Sequence, residues 1–452
     1  MSAGLCLYVV LAAGKGTRMK SSLPKVLHSI AGQSMLAHVL GTASLGGGKM
    51  AVVVAPDSEA VAAEALRIVP DAKIFEQATQ RGTADALLAA KPALQEHTGD
   101  VIVLFADTPL VRPDVLAELR AALDDGAGIA VLGFRSKNPT GYGRLLIDDG
   151  GALMAIREER DASDAEKKVG LCNSGVMAFR VPDLSGLLSR IGCANAKNEY
   201  YLTDVVAIGR ELGIRAAVVV CDEDDVLGIN TREQLAQAEA VWQARTRVDM
   251  MREGVTMIAP ETVWLSFDTK IGRDVILEPN VIFGPGVTVE AGARILGFCH
   301  FEGATIGTGA RVGPFARLRP GADLGADVHI GNFVEVKKTT LGTGAKANHL
   351  SYLGDGNVGA GANIGAGTIF CNYDGFNKEK TVIGEGAFIG SNSSLVAPVT
   401  IGKGAYIGSG SVITKDVNPG ALALSRSAQD ERPGWADKFR IMMSRRKAAQ
   451  KK

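Results

Sequence analysis

From residue 271 onward the chain places an apolar residue at every sixth position: Ile271, Leu277, Phe283, Val289, Ile295 and Phe301. One step of five resets the frame, and the period resumes at Ile306, Val312, Leu318, Leu324, Ile330 and Val336. After a less regular section it returns at Ile383, Ile389, Leu395, Ile401, Ile407 and Ile413. Neither the helical period nor the two-residue alternation of a flat strand sustains this spacing. A parallel β-helix does: each unit forms one short side of a coil and turns its apolar residue inward. Glycine follows many of these residues, as at Gly272, Gly307, Gly331 and Gly402, and is expected to permit the corners. The coil accounts for the 55 glycines of a 452-residue chain, where average usage of about 7% gives roughly 32.

Residues 1–230 read differently. Short runs rich in valine and isoleucine at Leu5–Ala13, Ala51–Ala55, Val101–Ala106, Ile129–Phe134, Val176–Phe179 and Ala216–Cys221 alternate with helical stretches such as Asp57–Arg67 and Pro113–Leu123. This alternation predicts an α/β domain around a mostly parallel sheet. Residues 231–253 lack glycine and proline, open on the capping pair Thr231 and Gln234, and are followed by Gly254, which predicts a linking helix. The third segment, 254–452, is the coil with a basic tail.

Lysine plus arginine equals aspartate plus glutamate, 49 against 49, so no broad field draws the chain to nucleic acid or to an acidic membrane. No apolar run is long enough to span a bilayer. The opening "MSAGLCLYVV" lacks a basic n-region and is not read as a signal peptide. Six scattered cysteines with no C-x-x-C pair suggest neither zinc nor disulfides, and fit reduced thiols in a cytoplasmic protein.

The first strand runs into "LAAGKGTRM", with "LPK" at 23–25. This is neither a Walker A loop nor a dinucleotide fingerprint. Glycines after a strand nevertheless let backbone N–H groups approach phosphate oxygens, and Arg18 and Lys25 add charged donors. The stretch resembles the signature of the sugar-1-phosphate nucleotidyltransferase family. "QATQRGTADA" (77–86), "FADTPL" (105–110), "GYGR" (141–144), "REERDA" (157–162), "CNSG" (172–175) and "GINT" (228–231) match its later segments in order. The resemblance implies a Rossmann-like nucleotidyltransferase domain in which a sugar 1-phosphate attacks the α-phosphorus of UTP and pyrophosphate leaves. It also implies roles for individual residues. Leu11, Ala12, Ala13 and Gly14 would line the nucleotide. Lys25 would hold phosphate and Arg18 would stabilise the departing pyrophosphate, both as catalytic residues. Gln77, Gly82 and Thr83 would read uracil. Gly143, Glu158, Asn173 and Thr203 would hold N-acetylglucosamine 1-phosphate. Asp107 and Asn230 would hold Mg²⁺, with Asn230 also near substrate. Ala106 and Asp85 depart from the commoner family pattern, which has glycine and often histidine there.

The coil resembles the left-handed β-helix of the hexapeptide acyltransferase family, which implies a homotrimer. Residues 337–382 are rich in polar groups that a purely structural coil does not need. "GPFARLRPGA", "GNFVEVKK", "NHLSYLGD", "NIGAGTIFCNYDG" and "SRSAQ" resemble the family of bifunctional N-acetylglucosamine-1-phosphate uridyltransferase/glucosamine-1-phosphate N-acetyltransferases. That resemblance makes His349 the general base for acetyl transfer from acetyl-CoA to glucosamine 1-phosphate, with Glu335 a candidate to orient its ring. It places Arg319, Lys337 and Lys378 on the sugar phosphate, and Tyr352 and Asn363 on the sugar. Ala366, Asn372, Tyr373, Ser391, Ser409 and Arg426 would contact acetyl-CoA, with serine at 409 where alanine is usual. Cys371 reads as a small buried residue, since direct transfer needs no acyl-cysteine. The basic tail would either contact coenzyme A phosphates or lie solvated. The alternative is a single-activity sugar nucleotidyltransferase whose coil only assembles subunits.

Overall fold

In the computed structural model, residues 6–450 are described. Leu5, the start of the expected first strand, lies outside them. So do the first four residues of the segment weighed as a signal peptide and Lys451 and Lys452 of the basic tail. The chain divides into two compact units, Met1–Asp249 with Leu265–Phe267, and the remainder.

The first unit is a mixed sheet covered on both faces. Its strands are β1 (Cys6–Ala12), β2 (Lys49–Val54), β3 (Lys73–Glu76), β4 (Asp100–Phe105), β5 (Ile129–Arg135), β6 (Gly143–Ile147), β7 (Leu153–Arg157), β8 (Leu171–Phe179) and β9 (Ala216–Cys221). The main path runs β9-β5-β8-β4-β1-β2-β3. All its pairings are parallel except those of β8, which runs antiparallel to both neighbours. Period-two alternation along β1 sends Tyr8, Val10 and Ala12 into one core, under helices α1 (Met35–Leu45), α2 (Glu59–Ile68) and α4 (Pro113–Asp124). Leu7, Val9 and Leu11 enter the other core, with α3 (Thr83–Ala89) and α5 (Val205–Glu211). Both faces being buried explains why the strands read as unbroken apolar runs. From β1 the chain builds outward through β2 and β3, then returns to place β4 on the other side of β1. The loops after β1 and β4 therefore meet at a topological switch point, where open α/β sheets bind ligands.

The sheet is pinned at its opposite end. Asp100, 3% exposed, opens β4 and accepts from Arg180 Nε at 2.7 Å and Arg120 Nε at 3.1 Å. Burial alone would raise its pKa, but the two guanidinium groups outweigh this and hold the carboxyl below the usual aspartate range. A carboxyl held low in the folded state stabilises above the unfolded value, about 3.9, and that contribution is lost as pH falls through the lower folded value. Asp100→Asn should destabilise the unit by about 3 kcal/mol at neutral pH, with a smaller deficit below pH of roughly 4. Thermal melts of both proteins across that range give the comparison.

The linking helix α6 spans Arg232–Arg252. The capping box forms: Gln234 N–H donates to Thr231 Oγ1 at 3.3 Å, and Gln234 Oε1 accepts from the N–H groups of Thr231 and Asn230 at 3.2 and 2.7 Å. Gly254 follows at φ +103°.

The second unit is a left-handed parallel β-helix with three short strands per coil. Ile282 pairs with His300, Thr288 with Thr305, and Arg294 with Arg311, so coils advance by 18 or 17 residues. The expected apolar ladder is buried throughout, except that Ile271 on the first coil is half-exposed. The ladder also continues through the irregular section as Leu341, Ala347, Leu353, Val358, Ile364 and Phe370, all buried. Steps of five at Leu341 and Val358 hide it from a strict period of six. Among the described residues one excursion interrupts the ladder, between Phe370 and Thr381: Gly356 pairs with Thr381, 25 positions on.

The glycines after the ladder residues act differently from expectation. Gly272, Gly307, Gly331 and Gly402 are not among the residues with positive φ. A Cβ on Gly331 would lie 1.9 Å from the Asn348 carbonyl oxygen, and one on Gly402 2.4 Å from the Pro419 nitrogen. They permit the next coil's backbone to approach. The left-handed turns are taken by other residues, including Gly286, Gly292, Asp274 and Asn280.

Candidate functional sites

At the switch point of the first unit lies a cavity of about 430 Å³, lined by Leu11, Ala12, Ala13, Gly14, Lys15, Lys25, Gln77, Gln80, Gly82, Thr83, Phe105, Asp107 and Glu199 among others. Glycine is required at 16. Its φ is +60°, and an added Cβ would sit 2.5 Å from the Lys25 Cβ. The loop thus folds onto Lys25, which is 9% exposed. The Lys25 ammonium contacts Asp107 Oδ2 and donates to Asn230 Oδ1 at 3.1 Å. Two oxygens from distant segments converge on one cation, and the Ile229 N–H donates to the Asp107 carbonyl at 2.9 Å, fixing the two segments together. Among the described residues no group of three histidine, cysteine or acidic side chains can hold a metal. The pair Asp107 and Asn230 instead fits a hard cation that keeps several waters and draws on substrate phosphate. Ala106 is fully buried, with its N–H on the Leu11 carbonyl at 3.0 Å, so its methyl stays out of the cavity. Arg18 is exposed on the short turn Thr17–Met19 and does not line the cavity.

A second group forms where β6, β7 and β8 meet the turn before α5. Gly143 pairs with Asn173, and Thr203 Oγ1 donates to Glu158 Oε1 at 3.2 Å. A Cβ on Gly143 would come within 3.4 Å of that same oxygen. Burial pushes the Glu158 carboxyl above the usual glutamate range, against the Thr203 hydrogen bond that lowers it. Gly143, Glu158, Asn173 and Thr203 do not line the cavity itself. Thr83 links the two groups by accepting the Leu202 N–H at 3.0 Å. Sequence reasoning passed over Gln80, whose Nε2 donates to the Ala13 carbonyl and ties the 77–86 segment to the glycine loop.

On the coil, His349 is exposed, and its Nδ1 lies 2.8 Å from Asn332 Oδ1. With the amide oxygen accepting a hydrogen bond from Nδ1–H, Nε2 is left as the basic nitrogen. Asn332, not Glu335, holds the ring: Glu335 accepts from Arg319 at 2.8 Å instead. The reason is register. Asn332 pairs with His349 across a 17-residue coil, whereas Glu335 pairs with Tyr352. Lys337 lies 3.6 Å from Asp355, which also accepts from Asn372 Nδ2 at 2.5 Å. The Lys378 amine lies beside Lys337, and this neighbouring cation holds it below the usual lysine range. Two lysine side chains side by side, with Arg319 one coil before Lys337, suit an anion with several oxygens. Tyr352 lies across Gly354, where a Cβ would meet its hydroxyl at 2.5 Å. Tyr373 and Lys378 close a bridge at the base of the inserted loop. Asn363 pairs with Lys346, on the strand that carries His349.

Below His349 the remaining expected residues fall along one corner of successive coils. Gly367 N–H donates to the His349 carbonyl, Asn392 N–H to Ala366, Gly410 N–H to Ser391, and Arg426 to the Ser409 carbonyl at 2.8 Å. Cys371 is half-buried rather than buried, its thiol 4.0 Å from the Ile369 carbonyl oxygen.

The two sites define a nucleotidyltransferase joined to a hexapeptide transferase. Residues 8–169 match the MobA-like NTP transferase domain, and residues 380–415 match the bacterial transferase hexapeptide (six repeats). The chain is 59% identical to the bifunctional protein GlmU of Azorhizobium caulinodans over 97% of its length and 98% of that protein's. It is 57% identical to that of Xanthobacter autotrophicus (99% and 100%) and 53% to that of Paramagnetospirillum magneticum (99% and 99%). The chain belongs to the bifunctional GlmU family.

Proposed function

We propose that the chain makes UDP-N-acetylglucosamine in two steps, acetylating glucosamine 1-phosphate on the coil and then uridylylating the product in the first unit. The convergence of Asp107 and Asn230 on Lys25, beside backbone that lines a nucleotide-sized cavity, carries the second reaction. Lys25 holds phosphate, and Arg18, exposed at the loop's edge, reaches the leaving pyrophosphate. Gln77, Gly82 and Thr83 contact the base, while Gly143, Glu158, Asn173 and Thr203 hold the sugar. Bound at Asp107 and Asn230, Mg²⁺ would supply neutralisation of phosphate charge. Catalysis rests on positioning and charge, since the substrate brings its own nucleophile.

In acetyl transfer the neutral Nε2 of His349 takes the proton of the attacking amine while Asn332 steadies the imidazolium that forms. Arg319, Lys337 and Lys378 bind the sugar phosphate, and Tyr352 and Asn363 align the ring. Asn372 and Tyr373 flank the acetyl group. Ala366, Ser391, Ser409 and Arg426 carry acetyl-CoA along their corner, and a backbone N–H near Ala366 faces the oxyanion. A coil that only assembled subunits would not need this polar column, which disfavours the single-activity reading. Residues 1–230, 231–253 and 254–452 serve as uridylylation domain, linking helix and acetylation domain. Purified protein should release coenzyme A from acetyl-CoA with glucosamine 1-phosphate, and pyrophosphate from UTP with N-acetylglucosamine 1-phosphate. Pyrophosphate release alone would reduce it to the single-activity reading.

We further propose a homotrimer. Phe298, Phe315 and Phe333 occupy one corner of successive coils at φ +61°, +56° and +57°, a costly conformation for bulky residues. Their exposed rings stack at 5.0 and 5.3 Å, and Leu350, beside His349, continues the line. Burial against other copies would offset both the strain and the exposure. Phe315→Asp should sediment as a smaller species and lose acetyl transfer about tenfold or more while keeping uridylyl transfer; an unchanged sedimentation coefficient would remove the ladder from the interface. The described residues contain no helix long and apolar enough to cross a membrane. The unpaired cysteines and phosphorylated substrates support a cytoplasmic location.

A further inference from the structure

Asp85, which departs from the family pattern, sits in the first turn of α3, beside the base end of the nucleotide cavity. Its Oδ2 accepts from Gln77 Nε2 at 2.8 Å. The same Gln77 nitrogen donates to the Gly82 carbonyl at 3.1 Å. Carboxylate and carbonyl oxygens only accept, so the amide group between them must be the NH₂, and the orientation of Gln77 is fixed by chemistry. Both N–H groups are consumed. Gln77 is 5% exposed and lines the cavity, and among the described residues its Oε1 receives no donor. Asp85 is itself held: its Oδ1 accepts from Arg81 at 2.8 Å, and that guanidinium lies 5.4 Å over the Tyr200 ring. The Tyr200 N–H in turn donates to the Arg81 carbonyl at 2.8 Å, and the Tyr200 carbonyl accepts from the Ala84 N–H at 3.0 Å.

We propose that Asp85 is a specificity-determining positioning residue: with the Gly82 carbonyl it locks Gln77 so that only an acceptor oxygen faces the base. An acceptor matches the N3–H of uracil and opposes the N3 lone pair of cytosine. Buried unmatched acceptors discriminate strongly, because neither can turn to water. This rests on the reading of Gln77 as the base-contacting residue. Without Asp85 the amide keeps one partner, Gly82, and can rotate to offer its NH₂ to cytosine.

The test compares kcat/KM for UTP and CTP in the full chain, with melting curves to confirm folding. In Asp85→Ala the UTP preference should fall about tenfold, mainly through KM for UTP with kcat largely kept. Asp85→Asn, whose amide oxygen still accepts from Gln77, should restore most of the preference. Gln77→Glu places a carboxylate against two acceptors and should raise KM for UTP; adding Asp85→Asn supplies a donor and should recover it, which keeps the test open if Asp85→Ala does not fold. An unchanged preference in Asp85→Ala, or no recovery in the double variant, overturns the proposal. Gln77→Ala separates the two levels. A preference insensitive to Gln77→Ala defeats the base-contact reading itself, while sensitivity there with indifference at Asp85 defeats only the role of Asp85.

Discussion

Replacing His349 by alanine is expected to cut acetyl transfer about a thousandfold while leaving uridylyl transfer within twofold of the parent. The size follows from what is removed. The ring nitrogen at Nε2 is the basic group that the Asn332 contact leaves available, and a protonated amine cannot attack a thioester. The two half-reactions are read on one sample, by thiol release and by pyrophosphate release, so each serves as the folding control for the other. Asn332→Ala in the same assay should fall between, because the ring remains but its tautomer and angle are no longer held. Full acetyl transfer in His349→Ala would take the histidine out of the mechanism.

The mirror experiment is Asp107→Ala. Here uridylyl transfer should fall about a thousandfold or more, and acetyl transfer should persist. Among the described residues Asp107 and Asn230 are the two whose side-chain oxygens meet the Lys25 ammonium, and the Asp107 main-chain carbonyl receives the Ile229 N–H next to Asn230. Binding of Mg²⁺ and nucleotide, measured calorimetrically, should weaken together, because in the proposed reaction the side chain would serve both. Retained turnover at ordinary Mg²⁺ would place the metal elsewhere.

Much of this was legible in residue order. The apolar ladder, the capping box of Thr231 and Gln234 and the glycine loop after β1 all encode local geometry, which spacing reveals. Strand direction was not legible: nothing in the composition of Leu171–Phe179 marks it antiparallel. Its polar start, Asn173 and Ser174, also hid five of its residues from the expected run Val176–Phe179. The partner of His349 was missed for a different reason. Counting back by the regular 18 positions lands on Gly331; the coil there advances by 17, which lands on Asn332. Gln80 and Asp85 were in view within a matched segment, but their contacts cross a turn, and only folding shows which oxygen each amide meets. The glycines of the ladder carried the right signal with the wrong cause. They answer to the backbone one coil away and not to their own φ.

The mixture of 16-, 17- and 18-residue coils makes the second unit a counter that corrects itself. A residue dropped at one corner does not accumulate as an angular error, because each inward aliphatic side chain re-zeroes the chain before the next coil begins. Thus Gly356 meets Thr381 after an excursion through the inserted loop, and on the same face Thr381 meets Val399 after a regular 18 residues. Loops that carry chemistry are therefore free to vary in length at a corner, while the column from His349 to Arg426 stays aligned down the axis. A one-residue deletion inside a strand has no such remedy, since it turns a ladder residue outward where nothing resets it.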